Sequence, residues 1–300
     1  MLDLNVESLL YRIKLWKDQG PSYETLSGGL TNENYTVSAN GSRYVLRIPG
    51  QGSEVMINRD FELFNSKAAA RAGVSPQVLE SLKPEDVLVI EYLDGEVMHP
   101  ETVAADDRTI EKIGEALKRL QDNAEFGNTT YVFDMIRRYV AMCREVEAIL
   151  PRDFDWMLQV MDEVEKAMER NKPPLAASHN DLLSENFILD PRGRLWIIDW
   201  EYGGMNDPFF DLGDVAVEHP LSPEQEELLL TAYGGRIEAE ELARMRLHKL
   251  TADVWWGMWG MIQDRISALD FDFKAYGLHR FERFRHNHAE GGTTTLLDMV

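Results

Sequence analysis

Cysteine and basic charge are both scarce in this sequence. A single thiol, Cys143, in 300 residues excludes an intramolecular disulfide framework and a multi-cysteine zinc site. Its neighbours Tyr139, Val140, Ala141 and Met142 read as a buried helix face, which predicts an inert packing role. Lys and Arg number 31 against 52 Asp and Glu, a net charge of −21. Such a surface repels a phosphate backbone and argues against nucleic-acid partners. It promotes solubility and is compatible with a cationic ligand. Long apolar runs are also missing: the longest, residues 254–262, is about half a membrane span, and Asp3 and Glu7 stand where a signal peptide carries bases. No membrane insertion and a cytoplasmic location are expected.

What is present supports a sizeable core. Apolar residues make up 44% and aromatics 10% of the chain, and the length suggests about two domains. Residues 4–18 read as a helix, ended by Gly20-Pro21. Residues 23–26, 34–38 and 44–48 read as strands, the last two joined at Asn40-Gly41, a hairpin signal. A helix is predicted over 55–72 and two more strands over 78–82 and 87–93. The result is a five-stranded, antiparallel sheet with one helix inserted after its third strand. Beyond Asp94-Gly95 helical periodicity dominates, over 104–122, 131–149, 153–170, 208–218, 222–233, 239–267 and 271–287, interrupted by β segments at 187–190 and 195–199. The expected class is α+β, with an N-terminal lobe over 1–93 and a larger, mainly helical C-terminal lobe over 94–300, the outline of a two-lobed kinase.

The strongest chemical signal is His179-Asn180-Asp181 with Asn186 five residues after the Asp, then an apolar strand ending in Asp199, thirteen residues after the Asn. Phosphoryl transfer from ATP needs a carboxylate beside the attacking hydroxyl and oxygen ligands for Mg²⁺ on the phosphates. One loop supplies the first from Asp181 and part of the second from Asn186, and the strand end supplies the rest. Both Asn186 and Asp199 offer the hard oxygens that Mg²⁺ prefers. Upstream, Gly28, Gly29, Thr31 and Asn32 lie between two strands, where backbone and side-chain donors suit phosphate oxygens; an ordinary hairpin turn has the same composition.

On these residues the sequence resembles the choline/ethanolamine kinase family, similar to bacterial choline kinases, within the superfamily that includes aminoglycoside phosphotransferases and, distantly, protein kinases. The resemblance runs from about Leu26 to Phe284. It implies a bilobal protein kinase-like fold using ATP and Mg²⁺. Asp181 then corresponds to the catalytic base, Asn186 and Asp199 to magnesium ligands, and Glu201 to a group near a second metal. His179 corresponds to a residue that holds the catalytic loop in shape. Arg47 stands where protein kinases carry a lysine, with Glu62 on the next helix as its partner, although an exposed Arg on an edge strand reads the same way. The stretch containing Glu91 and Leu93 corresponds to the interlobe linker, whose backbone would meet adenine.

The acceptor is read from Trp256-Gly257-Met258-Trp259. Two indoles three residues apart share a helix face, suited to cation–π recognition of a quaternary ammonium and equally to core packing. Trp255 points about 100° away. The motif matches the W-G-x-W helix that lines the family's choline pocket, and Tyr202, Glu218 and Tyr276 match its further pocket positions. Glu218 is expected to complement the ammonium charge, Asp211 to brace the catalytic loop, and Asp214 to add only to the local negative field. The catalytic loop departs from the eukaryotic pattern at Leu182-Leu183-Ser184-Glu185, and the chain is shorter than eukaryotic choline kinases. The other histidines show no metal-ligand spacing. The expected function is ATP-dependent phosphorylation of choline. Kinases for ethanolamine, an aminoglycoside or a sugar, and a catalytically silent choline- or nucleotide-binding module, are the alternatives. A homodimer is compatible with the sequence.

Overall fold

The computed structural model describes residues 6–26, 32–50 and 55–300. Gly28, Gly29 and Thr31 of the expected phosphate loop lie outside the described residues.

Five strands, β1 (Ser22–Leu26), β2 (Asn32–Ala39), β3 (Ser42–Pro49), β4 (Val78–Leu82) and β5 (Val87–Glu91), form an antiparallel sheet in the order β1-β2-β3-β5-β4. The β2–β3 hairpin turns at Asn40 and Gly41, both with positive φ, where a short polar side chain and glycine carry little steric penalty. Val37, Leu46, Ile48, Val87 and Val89 bury one face against Leu9, Leu10, Ile13 and Trp16. The first two of those leucines lie on α1 (Val6–Arg12), which is shorter than the predicted 4–18 helix and gives way to a 3₁₀ turn over Lys14–Trp16. The strand predicted to reach residue 93 stops at Glu91.

Helix α2 (Arg59–Arg71) starts four residues later than the apolar pattern suggested, because the Asn58 side chain caps it by accepting from the N–H groups of Asp60 and Phe61. Its face away from solvent carries Arg59, Glu62 and Asn65, all buried. Asn65 donates to the Gly203 carbonyl at 2.8 Å and accepts from the Gly127 N–H at 3.1 Å, tying α2 to the C-terminal part of the chain.

The rest is mainly helical. A short β6 (Glu96–Val97) is followed by α3 (Pro100–Ala105), α4 (Asp107–Asn123), α5 (Val132–Glu145) and α6 (Phe154–Met168). The predicted 104–122 helix is thus two helices, parted at Asp106, whose carboxylate caps α4. Short strands β7 (Ala176–Ser178), β8 (Phe187–Leu189), β9 (Leu195–Ile197) and β10 (Gly204–Asn206) follow, with β10 paired to β7 and β6-β8-β9 forming a three-stranded sheet. Then come α7 (Phe210–Glu218), α8 (Pro223–Gly234), α9 (Ala239–Ile266), α10 (Phe273–Glu290) and α11 (Thr293–Met299). Strands β6, β7 and β10, at two or three residues each, were too short to show a period.

Helices α9 and α10 pack unusually close. A Cβ on Gly257 would lie 2.6 Å from the Phe281 ring, and one on Gly260 would lie 2.8 Å from Gly277 Cα. Glycine at these points lets the two backbones approach and brings the residues flanking them into one cluster. This arrangement of a small five-stranded lobe and a larger helical one is the α+β bilobal kinase-like fold. Cys143 is buried, as expected, and burial pushes its thiol up to about 12. Among the described residues no helix is long and apolar enough to cross a membrane.

Candidate active site

The catalytic loop leaves β7 and is held almost entirely by buried polar groups. Asp211, at the start of α7, accepts from the N–H groups of His179 at 2.8 Å and Asn180 at 2.9 Å. Bracing by Asp211 is therefore seen directly; burial pushes its carboxyl up to about 7, against the pull of those two donors. Asp214 does more than add charge: it accepts from the Leu182 N–H at 2.7 Å, while His219 Nε2 meets the Leu182 carbonyl at 3.1 Å. The least foreseen member is Asn180. It has a φ of +71°, a conformation Asn tolerates better than most residues. Its amide donates to Thr130 Oγ1 and the Tyr202 carbonyl, each at 2.9 Å, and its Oδ1 accepts from Asn206 at 2.8 Å. The Asn between His and Asp was visible in the motif, but partners up to fifty residues away were not.

His179 bridges the two chemical segments. Its Nε2 lies 2.8 Å from the Ile198 carbonyl, so that nitrogen donates, and Nδ1 accepts from the Asp181 N–H at 3.2 Å. Both nitrogens are engaged in the neutral ring, and burial lowers its pKa to about 4. The sign follows: the unfolded chain binds a proton near pH 6.5, the native one only near 4, so this stability is complete above about 6.5 and lost as pH falls. Urea titrations at pH 5 and pH 7 should show the native protein losing about 2 kcal/mol of stability on acidification from this group alone. His179→Gln should flatten that slope, and an unchanged slope would move the effect elsewhere.

Asp181 is half-buried at the loop's centre, and its carboxylate accepts no hydrogen bond among the described residues. Burial and the neighbouring carboxylates of Asp199, Glu201 and Glu218 push its pKa well above the usual carboxylate range. Asn186 donates to the Asp181 carbonyl at 2.8 Å, which leaves its Oδ1 outside that bond. Asp199 follows β9 with a φ of +69°.

Across the cleft, Arg47 on the central strand β3 reaches Asp199 at 2.5 Å and Glu201 at 3.1 Å, and its Nε lies 3.4 Å from Glu62. The expected Glu62 pairing exists, but Glu62 sits nearer Arg59, at 2.7 Å. Arg47 is buried inside the sheet order, so the exposed edge-strand reading is excluded. Asn32 donates to Glu201 at 2.9 Å, a partner the phosphate-loop reading did not foresee.

Two guanidiniums, Arg47 and Arg59, thus meet three carboxylates, Glu62, Asp199 and Glu201. The imbalance shows in Glu201, whose carboxyl burial and Asp199 push up to about 7 in spite of Arg47. A divalent cation would relieve it. The donor set, an amide oxygen and carboxylates, is the hard-oxygen chemistry of Mg²⁺, so these residues fit that ion. No cluster of three or more His, Cys, Asp or Glu side chains pre-assembles a metal cage among the described residues.

The aromatic residues named from sequence converge. Tyr202 and Trp256 have ring centroids 4.9 Å apart, Trp256 and Trp259 5.9 Å, and Trp259 and Tyr276 5.5 Å, all edge-to-face. Trp259 Nε1 donates to the Tyr202 hydroxyl at 2.8 Å. Trp255 is not remote from this group: it stacks on Trp256 at 5.6 Å and lines a cavity of about 340 Å³ with Glu201, Tyr202, Met135 and Arg138. Glu218 requires correction. Rather than standing as a lone charge, its Oε1 accepts from Arg280 at 2.5 Å and Arg283 at 2.7 Å. Burial pushes its carboxyl up, but the two guanidiniums outweigh burial and hold it below the usual range. Neither arginine was singled out in the sequence, because only the α9–α10 contact brings them to α7.

In the expected linker, Glu91 donates its N–H to the Gln77 carbonyl at 2.9 Å, and its side chain accepts from the Gln77 N–H. That N–H is therefore engaged within the sheet, and Leu93 lies just past the strand end.

Fold and site together define a phosphotransferase with an alcohol group as acceptor, and the chain belongs to the Phosphotransferase enzyme family, whose profile matches residues 22–248. Protein LicA of Haemophilus influenzae is 30% identical over 267 residues, covering 85% of this chain and 76% of that protein. A choline/ethanolamine kinase family protein of Mesorhizobium loti superposes with a TM-score of 0.86 at 34% identity, covering 97% of this chain and 96% of that one. The choline kinase LicA of Streptococcus pneumoniae superposes with a TM-score of 0.75 at 26% identity, covering 89% and 94%.

Proposed function

We propose that this protein transfers the γ-phosphoryl group of ATP to the hydroxyl of choline. Residues 1–93 serve as the nucleotide lobe and residues 94–300 as the catalytic and acceptor lobe. The observation that carries the reading is a shared location. Asp181 lies on the loop that His179 joins to Ile198, beside Asp199. Asp211 and Asp214 join the same loop to α7, whose last residue, Glu218, binds Arg280 next to Tyr276 of the four-ring cluster.

In this reading Asp181 accepts the proton of choline's hydroxyl and orients the oxygen toward the γ-phosphorus. Asn186, Asp199 and Glu201 would hold Mg²⁺, which would supply positive charge against the phosphates. Arg47 lies in the same cluster, where its guanidinium can meet phosphate oxygens. Gly28, Gly29, Thr31 and Asn32 are assigned to the phosphates from the sequence, and the Glu91 carbonyl, rather than its engaged N–H, and the Leu93 backbone are assigned to the base. The rings of Tyr202, Trp256, Trp259 and Tyr276 receive the trimethylammonium group, which needs polarisable π-faces and offers no N–H donor. Catalysis then comes mainly from orientation and charge stabilisation.

The test is ADP release measured against choline, ethanolamine, aminoglycosides and simple sugars. Choline should give the highest kcat/KM. Turnover of an aminoglycoside or sugar without turnover of choline would overturn the assignment, and nucleotide or choline binding with no turnover at all would indicate a silent binding module.

A further inference from the structure

The acceptor cluster contains a cation of its own. Arg280, one turn after Tyr276 on α10, donates from Nη1 to Glu218 at 2.5 Å and from Nη2 to the Tyr276 hydroxyl at 3.0 Å. Its guanidinium carbon lies 4.6 Å from the centroid of the Tyr276 ring. Arg283 completes the group by bridging Glu218 at 2.7 Å and Asp253 at 2.5 Å. Two buried carboxylates, Glu218 and Asp253, are thereby matched by two guanidiniums, so on the α10 side of the ring cluster the acid is already paired.

The consequence is that the polar atoms nearest the rings are already engaged. The Tyr202 hydroxyl accepts from Trp259, the Tyr276 hydroxyl accepts from Arg280, and Glu218 Oε1 accepts from both arginines. Indole nitrogens only donate. Glu218 Oε2 lies outside these bonds, but the negative charge it shares is already offset by two guanidiniums. A primary ammonium entering here would bring three N–H donors out of water. It would find Glu218 Oε1 and the Tyr276 hydroxyl already engaged, with the Asp181 carboxylate reserved in this reading for the reacting hydroxyl, a costly desolvation. A trimethylammonium group has no N–H to satisfy and draws its stabilisation from the ring faces.

We infer that Arg280 is a specificity-determining residue: by engaging Glu218 and the Tyr276 hydroxyl, it makes the acceptor site select quaternary over primary amino alcohols. The inference rests on the choline reading above. Arg280 acts through Glu218 and Tyr276 and is therefore a positioning residue.

The experiment compares kcat/KM for choline and for ethanolamine in the wild type, Arg280→Gln and Arg280→Lys, with KM for ATP as a control. Because the choline/ethanolamine ratio is taken on one enzyme preparation, partial loss of folded protein cancels from it. Arg280→Gln removes one of the two guanidiniums on Glu218, leaving Arg283 in place, and releases the Tyr276 hydroxyl to accept from a primary ammonium. The preference for choline should fall about tenfold, chiefly through a lower KM for ethanolamine, the scale of one charge-assisted hydrogen bond. Arg280→Lys keeps the charge but lacks the fork that reaches both partners, and should lower the preference by less. KM for ATP should stay level. A ratio unchanged within twofold in both variants, or a fall caused by loss of choline turnover alone, overturns the inference while leaving the choline assignment intact. A wild-type enzyme that phosphorylates neither amine overturns both.

Discussion

Asp181→Asn is expected to lower kcat by about 10²- to 10⁴-fold, the usual share of a positioned acid–base group, while leaving the thermal midpoint unchanged or slightly higher. The two halves of this expectation share one cause. Asp181 is held ionisable next to Asp199, Glu201 and Glu218, and burial and those charges push its pKa up. A carboxyl held above its unfolded value costs stability once the pH exceeds that unfolded value, so its ionised form is a burden on the fold near neutrality. The amide has nearly the same shape and no charge, and it relieves the repulsion. The loop is not expected to move, because its bonds run through His179, Asn180, Leu182 and Asn186 rather than the Asp181 carboxylate. Steady-state kinetics and a melting curve on the same preparation decide the matter. Turnover within tenfold of wild type would remove Asp181 from the role of base.

Trp259→Ala is expected to be the most disruptive change in the acceptor cluster, costing about 3–5 kcal/mol of stability, as large-to-small substitutions of buried aromatics do. Trp259 packs edge-to-face against Trp256, Phe273 and Tyr276 and holds the Tyr202 hydroxyl through Nε1. Loss of the ring also takes away one cation–π face, so KM for choline should rise about tenfold, with a much smaller change for ATP. Trp259→Phe separates the two effects: it keeps a ring in the cluster and loses the hydrogen bond to Tyr202. Its stability loss should be smaller while KM for choline still rises. Equal increases in KM for both substrates would make the indole a packing residue only.

The fold was legible where its periods were long. Helices α4, α5 and α6 carry a clear amphipathic stripe, the five strands of the first sheet are bounded by turn signals, and their order follows the expected outline. Helix α9, by contrast, is buried on every side over 250–262 and shows no stripe. Boundaries were less legible, because side chains acting on the backbone set them. Asn58 and Asp106 each accept from N–H groups at a helix start, so the predicted helices at 55–72 and 104–122 begin late or divide. Strands β6, β7 and β10 exist only because a partner strand lies beside them.

At the site, local motifs spoke clearly. His179, Asp181, Asn186 and Asp199 lie within one short stretch of chain, and the structure gathers them around one half-buried carboxylate. Tyr202, Trp256, Trp259 and Tyr276 also came together, although their separation in sequence is large. The expectations revised concern charge. Glu218, expected to complement an ammonium charge, is paired with Arg280 and Arg283, and Asp214, expected only to add negative field, holds the Leu182 N–H. Asn32 meets Glu201, and Arg47 binds Asp199 more closely than Glu62.

By itself, the sequence determined which chemical groups exist and which neighbours share a loop or a helix face: the His179, Asp181, Asn186 and Asp199 set, the paired indoles, and the acidic excess. These follow from spacing along one backbone segment, where geometry is nearly constant. The tertiary structure alone decided which charges are free and which are matched. Pairing of Glu218 with Arg280 depends on α7 meeting α10, and that meeting depends on Gly257, Gly260 and Gly277 letting α9 and α10 close together. Electrostatic partnership acts through space over a few ångströms and is indifferent to sequence distance. Only the packed helices could show that the ring cluster carries its own cation in Arg280.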